Sequence, residues 1–315
     1  MPEPRANEIL IQVYAASVSS GDWRLRSGTF PDGMNLMARL AMGFSGPRSK
    51  VLGNDLCGIV VRVGADVSRF KEGDRVIAQC GTGGGAHAEY IALAEDGSVA
   101  LAPHNLSFEQ AGAMGFGGSA ALHFLRKAEI KPGERLLING ASGSVGTAMV
   151  EIGKHFGADV TAVCSAANAG LVRGLGADQV IDYEQTDFAA GDARYDVIAD
   201  IVGTAPYSRI KPVLNRNGRF LVILGDIADM LGLRRADKAL GHRVIGGIAA
   251  ESAEALAELT RLAEAGKFTP VIDESFQLAE VAEAYRRVDT GHKRGNVVLT
   301  MPAMNRPPAG PPETS

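Results

Sequence analysis

The run from Leu136 to Gly146 constrains this chain more than any other stretch. Apolar residues Leu136, Leu137 and Ile138 lead through Asn139 into three glycines spaced by three: Gly140, Gly143 and Gly146. A helix starts at once, with Met149, Val150, Ile152 and Phe156 apolar at helical spacing. Gly157, Ala158 and Asp159 end it, and a second apolar strand runs from Val160 to Val163. This is a β-α-β pattern. Its glycine-rich first turn lets backbone N–H groups approach a pyrophosphate, and the helix N-terminus adds partial positive charge. The spacing is Gly-x-x-Gly-x-x-Gly, not the commoner Gly-x-Gly-x-x-Gly, and a tight strand-to-helix turn in any α/β domain would use similar residues. The flanking strand and helix favour dinucleotide binding. Gly140, Ser142, Gly143, Ser144, Val145 and Gly146 are then the residues around the pyrophosphate.

Short apolar strands recur on both sides of this unit, at residues 179–183, 195–200 and 218–225, the last ending at Gly225. Strands alternating with helices predict a parallel sheet covered on both faces. The first hundred residues differ. Residues 8–18, 58–63 and 75–78 read as short strands punctuated by Gly, Asp and Asn. Between them, residues 23–50 form an irregular stretch carrying Phe30, Met34, Met37, Leu40, Met42 and Phe44. It is either a core-covering helix or the wall of an apolar pocket. From Ser107 a capping-box spacing, Ser107 then Gln110, opens a helix through Ala120, Leu122, Phe124 and Leu125. Helices at 251–266 and 278–290 precede a last strand at 295–300, and the proline-rich tail 302–315 reads as disordered.

A chain of 315 residues accommodates two domains. A net charge of −4 gives no case for nucleic acid or an anionic membrane surface. No apolar run approaches the roughly 18 residues that span a bilayer, and the N-terminus has no secretory pattern. Cys57, Cys80 and Cys164 do not pair in sequence, so a cytoplasmic location is the expectation.

Seven stretches in order resemble the medium-chain dehydrogenase/reductases, in their zinc-free, quinone-oxidoreductase-like branch. They run from Ala15 to Asp22, Leu52 to Gly58, Phe70 to Val76, Gly84 to Tyr90, Gly140 to Gly146, Leu175 to Tyr183, and His292 to Leu299. The resemblance implies an α/β fold: a Rossmann-type doubly wound parallel sheet plus a mainly β GroES-like catalytic domain. It places the catalytic domain at residues 1–112 and 258–301, and the coenzyme domain at 113–257. It also implies a strand pair ahead of residues 2–10, so the chain reads either as a fragment or as one whose start is assigned too late.

The zinc-dependent relatives hold their metal with Cys, His and Cys. The matching positions here are Ser19, Asn54 and Phe116, with Asp55 beside the second. A hydroxyl, an amide and a phenyl ring do not make a tetrahedral zinc site. His87 reads as a turn histidine without a partner at metal spacing. The resemblance therefore implies zinc-independent, NAD(P)H-dependent hydride transfer to a quinone, enone or activated carbonyl. Ser19 and Asn54 would face the cleft, either able to hold a substrate oxygen, although Asn54 could equally brace its turn. Trp23 would stack on a flat substrate or pack in the core. Asp22 and Asp55 resemble fixed family acids and read as structural acceptors. Ser119 matches a hydroxyl near the nicotinamide, or is a helix-interior serine. Two alternatives stand beside this. One is a 2-enoyl reductase, whose tyrosine proton donor has no clear counterpart, Tyr14 being the nearest. The other is a non-enzymatic NADPH-binding structural or interaction protein.

Coenzyme choice is also legible. NAD-specific sites carry an acid about 20 residues past the glycine loop, at the end of the second strand. Here that end is Cys164-Ser165-Ala166-Ala167-Asn168, without a carboxylate. Ser165, Asn168 and Tyr183 would accept a 2′-phosphate, with Arg173 either adding charge or merely solvated. NADPH over NADH is the expectation. Residues 241–248 read as an edge strand, and an unpaired edge predicts a homodimer.

Overall fold

The computed structural model describes residues 1–30, 49–225, 228 and 236–302. The apolar residues Met34, Met37, Leu40, Met42 and Phe44, and all but the start of the tail, lie outside these.

Two sheets organise the described residues. The first has seven strands: β1 (Glu8–Val18), β2 (Asp55–Val63), β3 (Arg75–Gln79), β4 (Tyr90–Ala94), β5 (Val99–Leu101), β12 (Ile272–Gln277) and β13 (Asn296–Thr300). Its order is β12-β13-β1-β2-β3-β5, with β4 also on β1. The long β1 serves two partners along one edge: residues 8–12 pair with β4, residues 15–18 with β13. Bulges against β2 at Leu10/Ile11 and Val13/Ala15 give it the bend this requires. Ile9, Ile11, Val13, Ala16 and Val18 form the core of this half.

The second sheet is wholly parallel, in the order β11-β10-β9-β6-β7-β8: β6 (Arg135–Asn139), β7 (Asp159–Cys164), β8 (Gln179–Asp182), β9 (Tyr195–Asp200), β10 (Leu214–Val222) and β11 (Arg243–Ile245). Its strands are apolar on both faces. Leu136, Ile138, Val160, Ala162 and Val197 pack on one side, and Leu137, Val163, Ile198 and Phe220 on the other. Such strands are stable only when helices cover both faces.

The helices are α1 (Ser20–Ser27), α2 (Phe108–Gly112), α3 (Met114–Lys127), α4 (Ser144–His155), α5 (Ala169–Gly174), α6 (Tyr207–Ile210), α7 (Ala253–Glu264) and α8 (Val281–Asp289). Several depart from the sequence reading. The stretch taken as irregular from Trp23 begins inside α1, whose N-cap Ser19 makes a full capping box with Asp22. The single helix expected after Ser107 is two, because Ala113 leaves helical geometry at φ −100°, ψ 2°. The expected boundary between residues 257 and 258 falls inside α7, which is capped at Ser252. The strand expected at 241–248 shortens to Arg243–Ile245.

Candidate active site

The glycine loop has the geometry its sequence requires. Gly140 sits at φ +92°, where a Cβ would meet Val202 at 2.7 Å. At Gly146 a Cβ would strike the Gly140 carbonyl at 2.2 Å, so only glycine lets the first turn of α4 close onto the strand. Gly143 differs: the nearest atom to an added Cβ is 3.9 Å away. The loop is thus open at Gly143, beside the N–H groups of the first turn of α4, which have no intrahelical partners. Its other flank is held. Gly295 N–H donates to Ser142 O (2.8 Å), and Ser144 Oγ donates to Asn296 Oδ1 (2.6 Å). Lys293 Nζ donates to Gly295 O (2.6 Å), and burial pulls this ammonium down to about 8.

The second strand ends next to this loop. Asn168 Nδ2 donates to both Ser142 Oγ (3.1 Å) and Ser165 Oγ (3.3 Å). Its Oδ1 is buried without a partner among the described residues. Tyr183 N–H donates to Cys164 O, which brings the exposed Tyr183 side chain to the same corner. Ser142, Ser165, Asn168 and Tyr183 are therefore together. Gly225 lies past the end of β10, on the same carboxyl edge of the sheet. An orphaned acceptor beside an open anion site suits a ribose hydroxyl next to a pyrophosphate, so these residues fit a nicotinamide dinucleotide.

The strand end is less neutral than one strand's sequence suggests. In register, Cys164 pairs with Asp182 of β8, and the Cys164 thiol feels both the Asp182 carboxylate and the Arg173 guanidinium. The corner holds an acid after all, supplied by the neighbouring strand and opposed by an arginine.

Helix α3 joins the two halves, and its glycines are the reason. A Cβ on Gly115 would meet Asp55 Oδ1 at 2.6 Å; one on Gly117 would meet Ser144 Oγ at 2.5 Å; one on Gly118 would meet Leu259 at 2.9 Å. Three faces of one helix thus touch β2, α4 and α7 at distances no side chain allows. The contact aligns a buried network. Asp55 accepts from Ser17 Oγ (3.0 Å), Gln79 Nε2 (3.2 Å) and Phe116 N–H (2.8 Å), while Ser119 Oγ donates to Gln79 Oε1 (3.2 Å). Burial, then the nearby Asp22, push the Asp55 carboxyl up to about 7 against the pull of those donors. Ser119 is therefore oriented by Gln79, a residue the sequence reading passed over.

The zinc-position residues have other tasks. Ser19 Oγ donates to Asp22 Oδ2 (2.6 Å) and accepts from Asp22 N–H (3.1 Å); it is 4% exposed. Binding a substrate oxygen would mean giving up that cap. Asn54 Nδ2 donates to Glu251 Oε1 (2.8 Å), which leaves its second N–H and a buried Oδ1 uncommitted among the described residues. The Phe116 ring lies over Gly21, 3.2 Å from where a Cβ would stand. Trp23 packs on the core of the first sheet, with the Arg24 guanidinium 5.5 Å from its ring. His87 fills the space beside Gly53 and bonds Ser17 O (2.9 Å). Among the described residues no three His, Cys, Asp or Glu side chains come together as a metal site.

Comparison with known proteins agrees with this architecture. Residues 5–104 match the family model of an alcohol dehydrogenase GroES-like domain, and residues 175–299 that of a zinc-binding dehydrogenase. The chain is 32% identical over 310 residues to the chloroplastic quinone-oxidoreductase QR1 of Triphysaria versicolor, covering 95% of this chain and 91% of that one. It is 30% identical over 310 residues to the chloroplastic NADPH-dependent alkenal/one oxidoreductase of Arabidopsis thaliana, at 95% and 73% coverage. The solved quinone oxidoreductase of Coxiella burnetii superposes with a TM-score of 0.83 at 30% identity, over 95% of this chain and 92% of that one. The chain belongs to the medium-chain dehydrogenase/reductases, in their quinone-oxidoreductase-like branch, and is an oxidoreductase. No helix among the described residues is long and apolar enough to cross a membrane.

Proposed function

We propose that this chain is a zinc-independent reductase, preferring NADPH, that passes a hydride to a quinone, an enone or an activated carbonyl compound. The observation that carries the reading is the glycine loop: closed by Gly140 and Gly146, open at Gly143, and set at the N-terminus of α4. The coenzyme, when bound, supplies the hydride from C4 of its nicotinamide. The glycine loop would hold the pyrophosphate, and Ser165, Asn168 and Tyr183 the adenosine ribose. Ser119 would line the nicotinamide end, oriented through Gln79 and Asp55. Asn54 has an uncommitted amide N–H for a substrate oxygen, whereas Ser19 and Trp23 serve mainly to build the cleft wall. In this reading residues 1–112 and 258–301 form the catalytic domain and 113–257 the coenzyme domain, with α7 shared at their seam. A homodimer in the cytoplasm completes it; Cys57, Cys80 and Cys164 are all free thiols, as a reducing compartment keeps them.

The 2-enoyl reductase alternative finds no accessible proton donor in Tyr14. Tyr14 is 7% exposed and stacked on Phe108 at 4.3 Å between ring centroids. A screen of NADPH and NADH oxidation against quinones, enals, enones and aldehydes, with and without a chelator, tests the proposal. Electrophile-dependent oxidation that survives chelation is expected. Coenzyme binding seen by Trp23 fluorescence, with no turnover of any electrophile, would point instead to the non-enzymatic reading.

A further inference from the structure

The turn that leads into β13 holds one flank of the glycine loop. Gly295 N–H donates to Ser142 O (2.8 Å), Gly295 bridges Gly143 in parallel, and Asn296 Oδ1 takes the Ser144 hydroxyl (2.6 Å). Three successive loop residues are thus held from one turn. The turn is pinned in its own right. Asn296 N–H and Nδ2 both donate to Val271 O (2.8 and 3.0 Å), and Lys293 Nζ donates to Gly295 O (2.6 Å). We propose that Lys293 is a positioning residue for the coenzyme: its ammonium fixes Gly295 against the glycine loop and sets a full positive charge behind the site of the pyrophosphate. The inference rests on the coenzyme reading above and adds the cation that the loop itself lacks.

Gly140 to Gly146 contains no ionisable side chain. The loop alone therefore offers a pyrophosphate backbone N–H groups and the partial charge of the α4 N-terminus. Lys293 is tied to that loop through Gly295. The charged groups around it are Asp273 and Glu274 on β12, Arg287 on α8, and its chain neighbours His292 and Arg294. Arg287 already engages both acids, Asp273 at 2.7 Å and Glu274 at 3.7 Å, and donates to His292 O (3.2 Å). Lys293 has no carboxylate at ion-pair distance among the described residues, so its charge is not spent on a direct partner. Burial is the largest influence and lowers the ammonium to about 8; Asp273 opposes this and Arg287 adds to it. The group is charged at pH 7 and loses its charge as pH rises through about 8. A partly desolvated ammonium attracts an anion more strongly than a solvated one, and a bound pyrophosphate favours the protonated form in turn.

The test measures dissociation constants of NADPH and NADH by fluorescence titration, from about pH 7 to about pH 9.5. Wild type should bind tightest at the low end and weaken by about tenfold across the range, as the charged form is lost. Lys293→Arg stays charged throughout and should keep its affinity to the high end. Lys293→Gln keeps a donor for Gly295 O but carries no charge; it should bind about tenfold more weakly than wild type at the low end and be insensitive to pH. Both coenzymes should respond alike, because the pyrophosphate is common to them. Should Lys293→Gln fail to fold, the wild-type and Lys293→Arg profiles decide the matter alone. Lys293→Gln that binds as tightly as wild type at the low end, profiles of wild type and Lys293→Arg that coincide, or a decline confined to NADPH would each overturn the role of Lys293 and leave the coenzyme reading standing. Wild type that binds neither coenzyme overturns both.

Discussion

Gly143 carries the sharpest single-residue test of coenzyme binding. Its φ of −83° is ordinary for any residue, and a Cβ there meets nothing closer than 3.9 Å. Gly143→Asp should therefore fold, yet it would place a carboxylate where a pyrophosphate must approach. Coenzyme affinity should fall by about a hundredfold or more, read by fluorescence titration, while the thermal midpoint stays near wild type. An unchanged dissociation constant would remove the loop from the site. The adenosine corner is subtler. Ser165, Asn168 and Ser142 were legible in sequence because they lie on or just past the loop and its second strand. Asp182 was not, because a sheet edge is built from neighbouring strands and sequence separation hides lateral register. With Arg173 and Asp182 opposed across Cys164, the preference for NADPH should be moderate. Asp182→Asn should raise the NADPH-to-NADH ratio of kcat/KM several-fold and Arg173→Ala lower it, each about three- to tenfold. If Asp182→Asn shifted the ratio toward NADH, the acid would not be opposing the 2′-phosphate.

At the scale of elements, α3 shows where pattern reading stops. Its apolar residues announced a helix, but nothing in periodicity says why Gly115, Gly117 and Gly118 crowd its first turn. The reason is tertiary: each faces a different element at sub-van-der-Waals range. The same substitution should therefore have opposite signs at two helical glycines. Gly117→Ala gains about 1 kcal/mol of helix propensity but drives a methyl into Ser144, at 2.5 Å from Oγ and 2.6 Å from O. The net effect should be destabilising by about 1–3 kcal/mol, with coenzyme affinity weakened because Ser144 opens α4. Gly170→Ala in α5 meets nothing within 4 Å at ordinary φ, and should stabilise by about 0.5–1 kcal/mol. Chemical denaturation of both variants measures this, and a stabilised Gly117→Ala would mean the helices are not in contact. The misplaced α1 has a similar cause. In sequence Ser19 reads as a cleft residue and Asp22 as a structural acceptor, whereas the Ser-x-x-Asp spacing joins the two as a capping box.

The whole molecule adds two properties. One is pH dependence. Glu151 on α4 takes the Thr269 N–H at 3.2 Å, in the segment leading into β12, so it ties the coenzyme sheet to the first sheet. Burial pushes its carboxyl from 4.5 up to about 7. The folded protein thus keeps this proton to about pH 7, whereas the unfolded chain releases it near 4.5. The stability it contributes is full below about 4.5, declines as pH rises through that window, and is flat above. Glu151→Gln should gain on wild type by about 1–2 kcal/mol between pH 5 and pH 8; denaturant midpoints that keep a constant offset across this range would refute it.

The second property is assembly, and it follows from where the parallel sheet stops. Its order ends at β11, a strand of only three residues whose outer edge has no partner among the described residues. Open edges pair with other chains unless they are blunted. Shortness is one such device, yet the segment just beyond β11 carries Ile248, 74% exposed, with Gly246 and Gly247 leaving the backbone accessible. An apolar side chain beside an unpaired edge fits a second copy of the chain set across a two-fold axis, extending one sheet into the next. Light scattering at micromolar concentration should give about twice the 33.0 kDa chain mass. Ile248→Asp should shift that equilibrium toward monomer without moving the coenzyme dissociation constant, since Ile248 lies outside the glycine loop. A wild-type protein that stays at the mass of one chain would show that β11 is a protected edge.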